Sequence, residues 1–195
     1  MVAADRRAAL TSAALPLVAQ FGLKVTTRQI AEAAGVAEGT IFRVFQDKDD
    51  LIQATIARAF DAAPTVAELD TIDTKLPLRV RLMAVTSVLQ RRLQLVFNLM
   101  IALGMSAPPE EVEDRRRAAR TSHASILERV AELLEPDRDQ FRCPVPEVVR
   151  LLRLVTFAGS HPLITDGLPM TADEICDLLL DGVRRRTDER GENRC

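Results

Sequence analysis

Residues 26 to 45 read TTRQIAEAAGVAEGTIFRVF. Two hydroxyls and a guanidinium, Thr26, Thr27 and Arg28, open this stretch, Arg43 lies near its end, and Lys48 follows it. Such a set suits an anion, because hydroxyls, a guanidinium and the positive end of a helix dipole all offer donors to phosphate oxygens. Catalytic readings find less support. The chain has two histidines, His123 and His161, and no G-x-S-x-G, H-E-x-x-H, G-x-G-x-x-G or P-loop spacing. Cys143, Cys176 and Cys195 are odd in number, far apart and without ligand spacing, so neither a disulfide framework nor a zinc site is indicated. No catalytic residue, metal or cofactor is expected, and a reducing cytosol is the simple compartment.

The donors need elements to hold them. A helix-turn-helix requires a small residue where two helices cross, a turn that accepts positive φ, and apolar residues on either side. Ala31 supplies the first, Gly35 the second, and Ile30, Val36 and Ile41 the third. A short helix is expected from Thr26 or Thr27 to Gly35, another from about Ala37 to Phe45, and a further one from Lys48 to Ala62 before Pro64. Ahead of them, Leu10, Ala13, Ala14, Leu17, Val18 and Phe21 mark one face of a helix over 5–21, with Pro16 in its interior.

Period-two alternation is absent, so the chain is expected to be all-α. Residues 64–75 read as a linker. Beyond it the pattern predicts a long helix from Pro77 to about Arg92, broken before a shorter one through Met105, then helices over 110–134 and 147–161. Thr171 and Glu174 form a capping box for a last helix carrying Ile175, Leu178, Leu179 and Val183. The uncharged run from Leu93 to Pro109 contains Gln94, Asn98, Gly104 and two prolines, which suits a buried helix and not a membrane span. Likewise, Thr11, Ser12, Pro16 and Gln20 spoil the uncharged run after Arg6-Arg7 as a secretion signal.

From Arg7 to Phe60 the sequence shows A-A, G-x-x-x-T-T, I-A-x-A-A-G-V, G-T-I-F-x-x-F and D-K-D-D-L. In these motifs it resembles the TetR family of bacterial transcriptional regulators. Ala13-Ala14, Gly22, Thr26-Thr27, Ile30-Ala31, Ala34-Gly35-Val36, Gly39-Thr40, Phe45, Lys48 and Leu51 fall on the family's pattern. The later chain is similar only in helical organisation and in the ending G-L-P-M-T-A-D-E-I-x-D-L-L-L-D-G-V. The resemblance implies a three-helix DNA-binding domain with a helix-turn-helix over 1–62, and a helical ligand-binding and dimerisation domain over 63–195.

It also implies roles. Thr26, Thr27 and Arg28 would meet phosphates, Lys48 would add a further phosphate contact, and Ala37, Glu38, Gly39, Thr40, Phe42 and Arg43 would lie on the helix that enters the major groove. Arg43 can pair with a guanine edge or a phosphate, and Thr40 can pack on a thymine methyl. Two positions depart from the pattern. Phe42 stands where the family usually has tyrosine, losing a hydroxyl. Glu38 brings a negative charge that either accepts from a cytosine amino group or repels phosphate.

In the second half, Met83, Phe97, Met100, Ile101, Met105 and Phe157, with His123 as a polar handle, suit an adaptable apolar pocket or a plain core. In the resembled family this region binds a small-molecule effector. Leu151, Leu154, Val155 and Ala158, with Ile175, Leu178, Leu179 and Val183, form two apolar faces that in the family pair across a twofold axis in a homodimer. Arg115, Arg116, Arg117 and Arg120 follow Glu110, Glu111, Glu113 and Asp114, so they read as a salt-bridged helix face. The function implied is a sequence-specific regulator, a repressor released from a double-stranded DNA operator by a largely apolar ligand. The alternative is an all-α small-molecule-binding protein or enzyme without a DNA role.

Charge sharpens this reading. The chain has 26 basic and 28 acidic residues, a net charge of -2. That balance excludes a protein held to polyanions by bulk charge. The basic groups Lys24, Arg28, Arg43 and Lys48 instead cluster around the motif, with Asp47, Asp49 and Asp50 beside Lys48. Weak non-specific binding and reliance on a matched site are expected.

Overall fold

A computed structural model describes residues 3–105 and 113–183, with side chains over 5–105 and 124–183. Among the described residues the chain is helical, without strands. The α-helices are α1 (Ala3–Phe21), α2 (Thr27–Ala33), α3 (Lys48–Phe60), α4 (Ala63–Asp70), α5 (Leu78–Ala102), α6 (Glu113–Leu134), α7 (Val145–Ser160) and α8 (Ala172–Val183). Two compact units emerge from the contacts: Met1–Ala63 with Gln94–His123, and Pro64–Leu93 with Ala124–Cys195.

In the first unit, α1 packs on α2 and α3. Leu10, Ala14 and Val18 recur every four residues along α1 and are fully buried, while Pro16 sits on its exposed face and the helix continues through it. They meet Ile30, Ala31, Ile41, Phe45, Leu51, Ile52, Ile56, Ala59 and Leu99 in one core. Each large apolar side chain buried there contributes roughly 1.5–3 kcal/mol of transfer free energy.

The helix expected over 37–45 is a 3-10 helix, Glu38–Arg43. Six residues are few for an α-helical nucleus, and the Val44 amide closes an i to i−3 bond on Ile41 at 2.9 Å. The linker expected over 64–75 contains α4 instead. Asp61 Oδ1 accepts from the Ala63 amide at 3.0 Å, Pro64 suits the first turn, and Thr65 and Leu69 bury one turn apart. The break expected near Arg92 is absent: α5 is continuous to Ala102. Gly104 then ends it at φ +64°, with the Met105 amide donating to the Met100 carbonyl at 2.8 Å.

The second unit buries Leu82, Val85, Ile126, Val130, Leu133, Leu134, Val148, Leu152, Ile175 and Leu179. Arg81 is buried with them. Its Nη1 donates to the carbonyls of Thr74 and Leu76, and the guanidinium pairs with Asp137, which pins the turn before α5 to the 3-10 segment Glu135–Gln140. The box at the start of α8 forms as expected: Thr171 Oγ1 accepts from the Glu174 amide at 3.2 Å, and Glu174 Oε2 accepts from the Thr171 amide at 2.7 Å. No helix among the described residues is long and apolar enough to cross a membrane.

Candidate nucleic-acid interface

Gly35 adopts φ +66°, and the amides of Gly35 and Val36 donate back to the carbonyls of Glu32 and Ala31 at 3.1 and 2.9 Å. This closes α2 and turns the chain into the Glu38–Arg43 element. That element anchors itself through Ile41, which is fully buried, and leaves Glu38, Gly39, Phe42 and Arg43 exposed. Thr40 is half-buried and Ala37 exposed. Phe42 is 54% exposed.

At the start of α2 the two threonines have different tasks. Thr26 is the cap: its Oγ1 accepts from the Gln29 amide at 3.2 Å, and Gln29 Oε1 accepts from the Thr26 amide at 2.9 Å. Thr27 Oγ1 instead donates to Glu38 Oε1 at 2.5 Å, across the turn of the motif. Arg28, next along, is exposed. Lys48 reaches back, and its Nζ donates to the Leu23 carbonyl at 2.7 Å, leaving two ammonium donors for other acceptors. The structure therefore brings Thr27 together with Glu38 and places Lys48 against the 3-10 turn Gly22–Lys24 that precedes α2.

Arg7 was not singled out by the sequence. Its guanidinium lies 4.3 Å from the centroid of the Phe45 ring, donates to the Val44 carbonyl at 3.3 Å and pairs with Asp50 at 3.1 Å. One side chain of α1 thus fixes the exit of the Glu38–Arg43 element and the entry of α3. Asp50 also accepts from the Gln46 amide, and this bond, helped by Arg7 and opposed by desolvation, holds its carboxyl below the ordinary value. The signal in the sequence was faint, because Arg7 and Asp50 stand 43 residues apart.

The residues expected to line a pocket fall in different settings. Phe97 is buried, Met83, Met100 and Met105 are half-buried, and Ile101 and Phe157 are exposed at 59% and 44%. The side chains of His123, Arg115, Arg116, Arg117 and Arg120 lie outside the described residues. A cavity of about 470 Å³ sits elsewhere, lined in part by Lys75, Pro77, Arg81, Asp137, Gln140 and Leu180. Of its charged lining residues, Arg81 pairs with Asp137, and Arg79 pairs with Asp173 and Asp177. Among the described residues no cluster of His, Cys, Asp or Glu could hold a metal ion.

Of the residues expected at a twofold interface, Ile175, Leu179 and Val183 are buried in the chain's own core, because α8 packs this face on α7 and the rest of its unit. Leu154 and Leu178 face outward at 46% and 55% exposure, with Leu151, Val155 and Ala158 half-buried. The connection between α7 and α8 adds Leu163, Ile164 and Leu168, all exposed, which the sequence reading had not singled out.

Residues 10–55 match the family model for bacterial regulatory proteins of the tetR family. The fold as a whole is shared with solved regulators. A TetR transcriptional regulator from Streptomyces coelicolor superposes with a TM-score of 0.60 at 21% identity, covering 91% of this chain and 98% of that one. FadR from Bacillus subtilis, solved with stearoyl-CoA, gives 0.57 at 17% identity, covering 89% and 95%. The ketosteroid regulator KstR2 of Mycobacterium tuberculosis gives 0.56 at 20% identity, covering 93% and 96%.

Proposed function

The chain carries a tetR-family helix-turn-helix domain on the fold of such regulators, and from that premise we propose that it is a sequence-specific operator-binding repressor acting as a homodimer. One observation carries the reading furthest. The Glu38–Arg43 element buries only Ile41 and turns Glu38, Gly39, Phe42 and Arg43 outward, beside an α2 N-terminus that presents Arg28. In a helix-turn-helix the second helix enters the major groove while the first crosses the backbone, so base readers and phosphate ligands fall on the faces these residues occupy.

A single motif reads one half-site, and useful affinity calls for two copies about one DNA turn apart. The outward Leu154 and Leu178, flanked by half-buried Leu151, Val155 and Ala158, support pairing of two chains through α7 and α8. Release by a small, largely apolar ligand is the finer part of the proposal. It draws support from fold relatives whose names point to stearoyl-CoA and ketosteroids, and from the methionine- and phenylalanine-bearing helix α5.

Electrophoretic mobility shift of duplexes taken from upstream of the chain's own gene tests the proposal. A retarded complex that survives a large excess of unrelated duplex is expected, and an acyl-CoA or steroid should dissolve it. Complexes competed away equally well by any DNA refute sequence-specific regulation. A specific complex that no apolar compound weakens refutes only the release step.

A further inference from the structure

The bond between Thr27 and Glu38 joins the two helices of the motif through their side chains. Glu38 is the first residue of the Glu38–Arg43 element, exposed, and preceded by extended backbone at Ala37 (φ -70°, ψ 141°). Its Oε1 is fixed by the Thr27 hydroxyl at 2.5 Å, whereas Oε2 has no hydrogen-bond partner among the described residues. A long exposed carboxylate ordinarily samples many rotamers and loses that freedom on binding. Here the bond from Thr27 restricts it and leaves Oε2 as the carboxylate oxygen with no protein donor among the described residues, at the end of the motif that meets base edges.

We propose that Glu38 reads a cytosine in each half-site, with Thr27 as its positioning residue. The assignment rests on the DNA-binding reading above and follows from the chemistry of the major groove. An ionised carboxylate only accepts. Two bases present donors there, cytosine through its N4 amino group and adenine through N6. Adenine's amino group lies between two acceptors, its own N7 and O4 of the paired thymine, whereas cytosine's has one such neighbour, O6 of the paired guanine, so a carboxylate meets less repulsion at C·G. Guanine offers only acceptors and thymine an acceptor with a methyl group, so neither accommodates Glu38. Phosphate repels it as well, which turns the acidic residue from a flaw in a DNA-binding surface into a filter. It weakens contact with every duplex and returns the loss only where a C·G pair stands in register. The Thr27 hydroxyl, committed as a donor to Glu38, then acts on DNA through the carboxylate it orients.

Selection of duplexes from a randomised pool by the full-length chain tests this, with Glu38→Gln, Glu38→Ala and Thr27→Val in parallel. For the wild type, one fixed position in each half-site should be enriched in cytosine, and changing it to thymine should weaken binding by roughly tenfold or more. Glu38→Gln keeps the shape but adds a donor, so its preference should move to adenine, which glutamine contacts through N6 and N7. Glu38→Ala should leave that position degenerate and the rest of the motif intact. Thr27→Val should reduce the cytosine preference several-fold without replacing it by another base. A Glu38→Ala motif identical to that of the wild type, with the same penalty for thymine, overturns the assignment while leaving operator binding in place. No enriched motif for the wild type overturns both.

Discussion

Gly22 stands at φ +57° with its missing side chain pointed at the backbone of Ala102, so that a Cβ built there would lie 2.3 Å from the Ala102 carbonyl oxygen. Both residues belong to the unit that contains the helix-turn-helix. The end of α1 can therefore approach the end of α5 only with glycine at this position. Gly35 shares the left-handed conformation at φ +66°, yet nothing lies within 4 Å of where its Cβ would be. The pair separates two reasons for a glycine. Gly35→Ala should lose about 1–2 kcal/mol for conformation alone, whereas Gly22→Ala should lose a further 1–3 kcal/mol, roughly, from the steric clash. Urea denaturation of the two variants checks this, and equal losses would contradict the close approach.

Arg43 and Lys48 should fail in different ways. Arg43 is exposed on the outward face of the Glu38–Arg43 element, where it can reach a base edge. Its replacement by alanine should cost roughly 1–3 kcal/mol on the matched site and relax preference at one base pair. Lys48 is held by the Leu23 carbonyl and has two donors left for phosphate. Lys48→Ala should weaken all duplexes alike and reduce the slope of log affinity against log salt by about 1. Titrations at several salt concentrations with matched and scrambled duplexes distinguish the two. Identical salt slopes for wild type and Lys48→Ala would remove Lys48 from the phosphate contacts.

What the sequence made legible was local. The cap at Thr171 and the left-handed stop at Gly35 depend on neighbours within a few residues, and both form, while the cap left open between Thr26 and Thr27 falls to Thr26. The helix α4 was hidden because one of its two buried positions is Thr65, which reads as polar although it lies on the inner face. Arg7 was hidden for a different reason, since its value depends on Phe45, Val44 and Asp50, brought to it by folding. Most instructive is α8, whose apolar stripe looked uniform. Ile175, Leu179 and Val183 are buried while Leu178, adjacent to Leu179 in sequence, is exposed. Periodicity marks a stripe as apolar, but only packing decides which edge is used by the same chain.

That division of α8 has a measurable consequence. Leu154 and Leu178 are free of the chain's own core, so a charge at either should spare the fold. Sedimentation or light scattering should give twice the chain mass for the wild type. Leu178→Glu should raise the dimer dissociation constant roughly tenfold or more, as for an apolar anchor at the centre of a contact, with the helical circular dichroism preserved. Ile175→Glu, by contrast, should unfold the unit, because Ile175 is fully buried. A Leu178→Glu chain that remains dimeric at the same concentration would move the interface away from α7 and α8.

Acid should loosen the corner held by Arg7. The Gln46 amide, and after it Arg7, stabilise the ionised form of Asp50, so its carboxyl titrates lower in the folded chain than in the unfolded one. A depressed folded value means that the contribution is complete above the unfolded value and disappears as pH falls through the folded one. The effect should therefore be flat near neutrality and fade below about pH 4. Asp50→Asn keeps the size of the side chain but removes the charge. Its urea midpoint should lie below that of the wild type at pH 7, and the gap should narrow towards pH 3 as the wild-type carboxyl takes up its proton. Arg7→Ala should show the same convergence, since it acts partly through the same carboxylate, but it also loses the contact with the Phe45 ring and should keep a residual deficit at low pH. A gap between wild type and Asp50→Asn that is unchanged from pH 7 to pH 3 would show that the charge of Asp50 does not hold this corner.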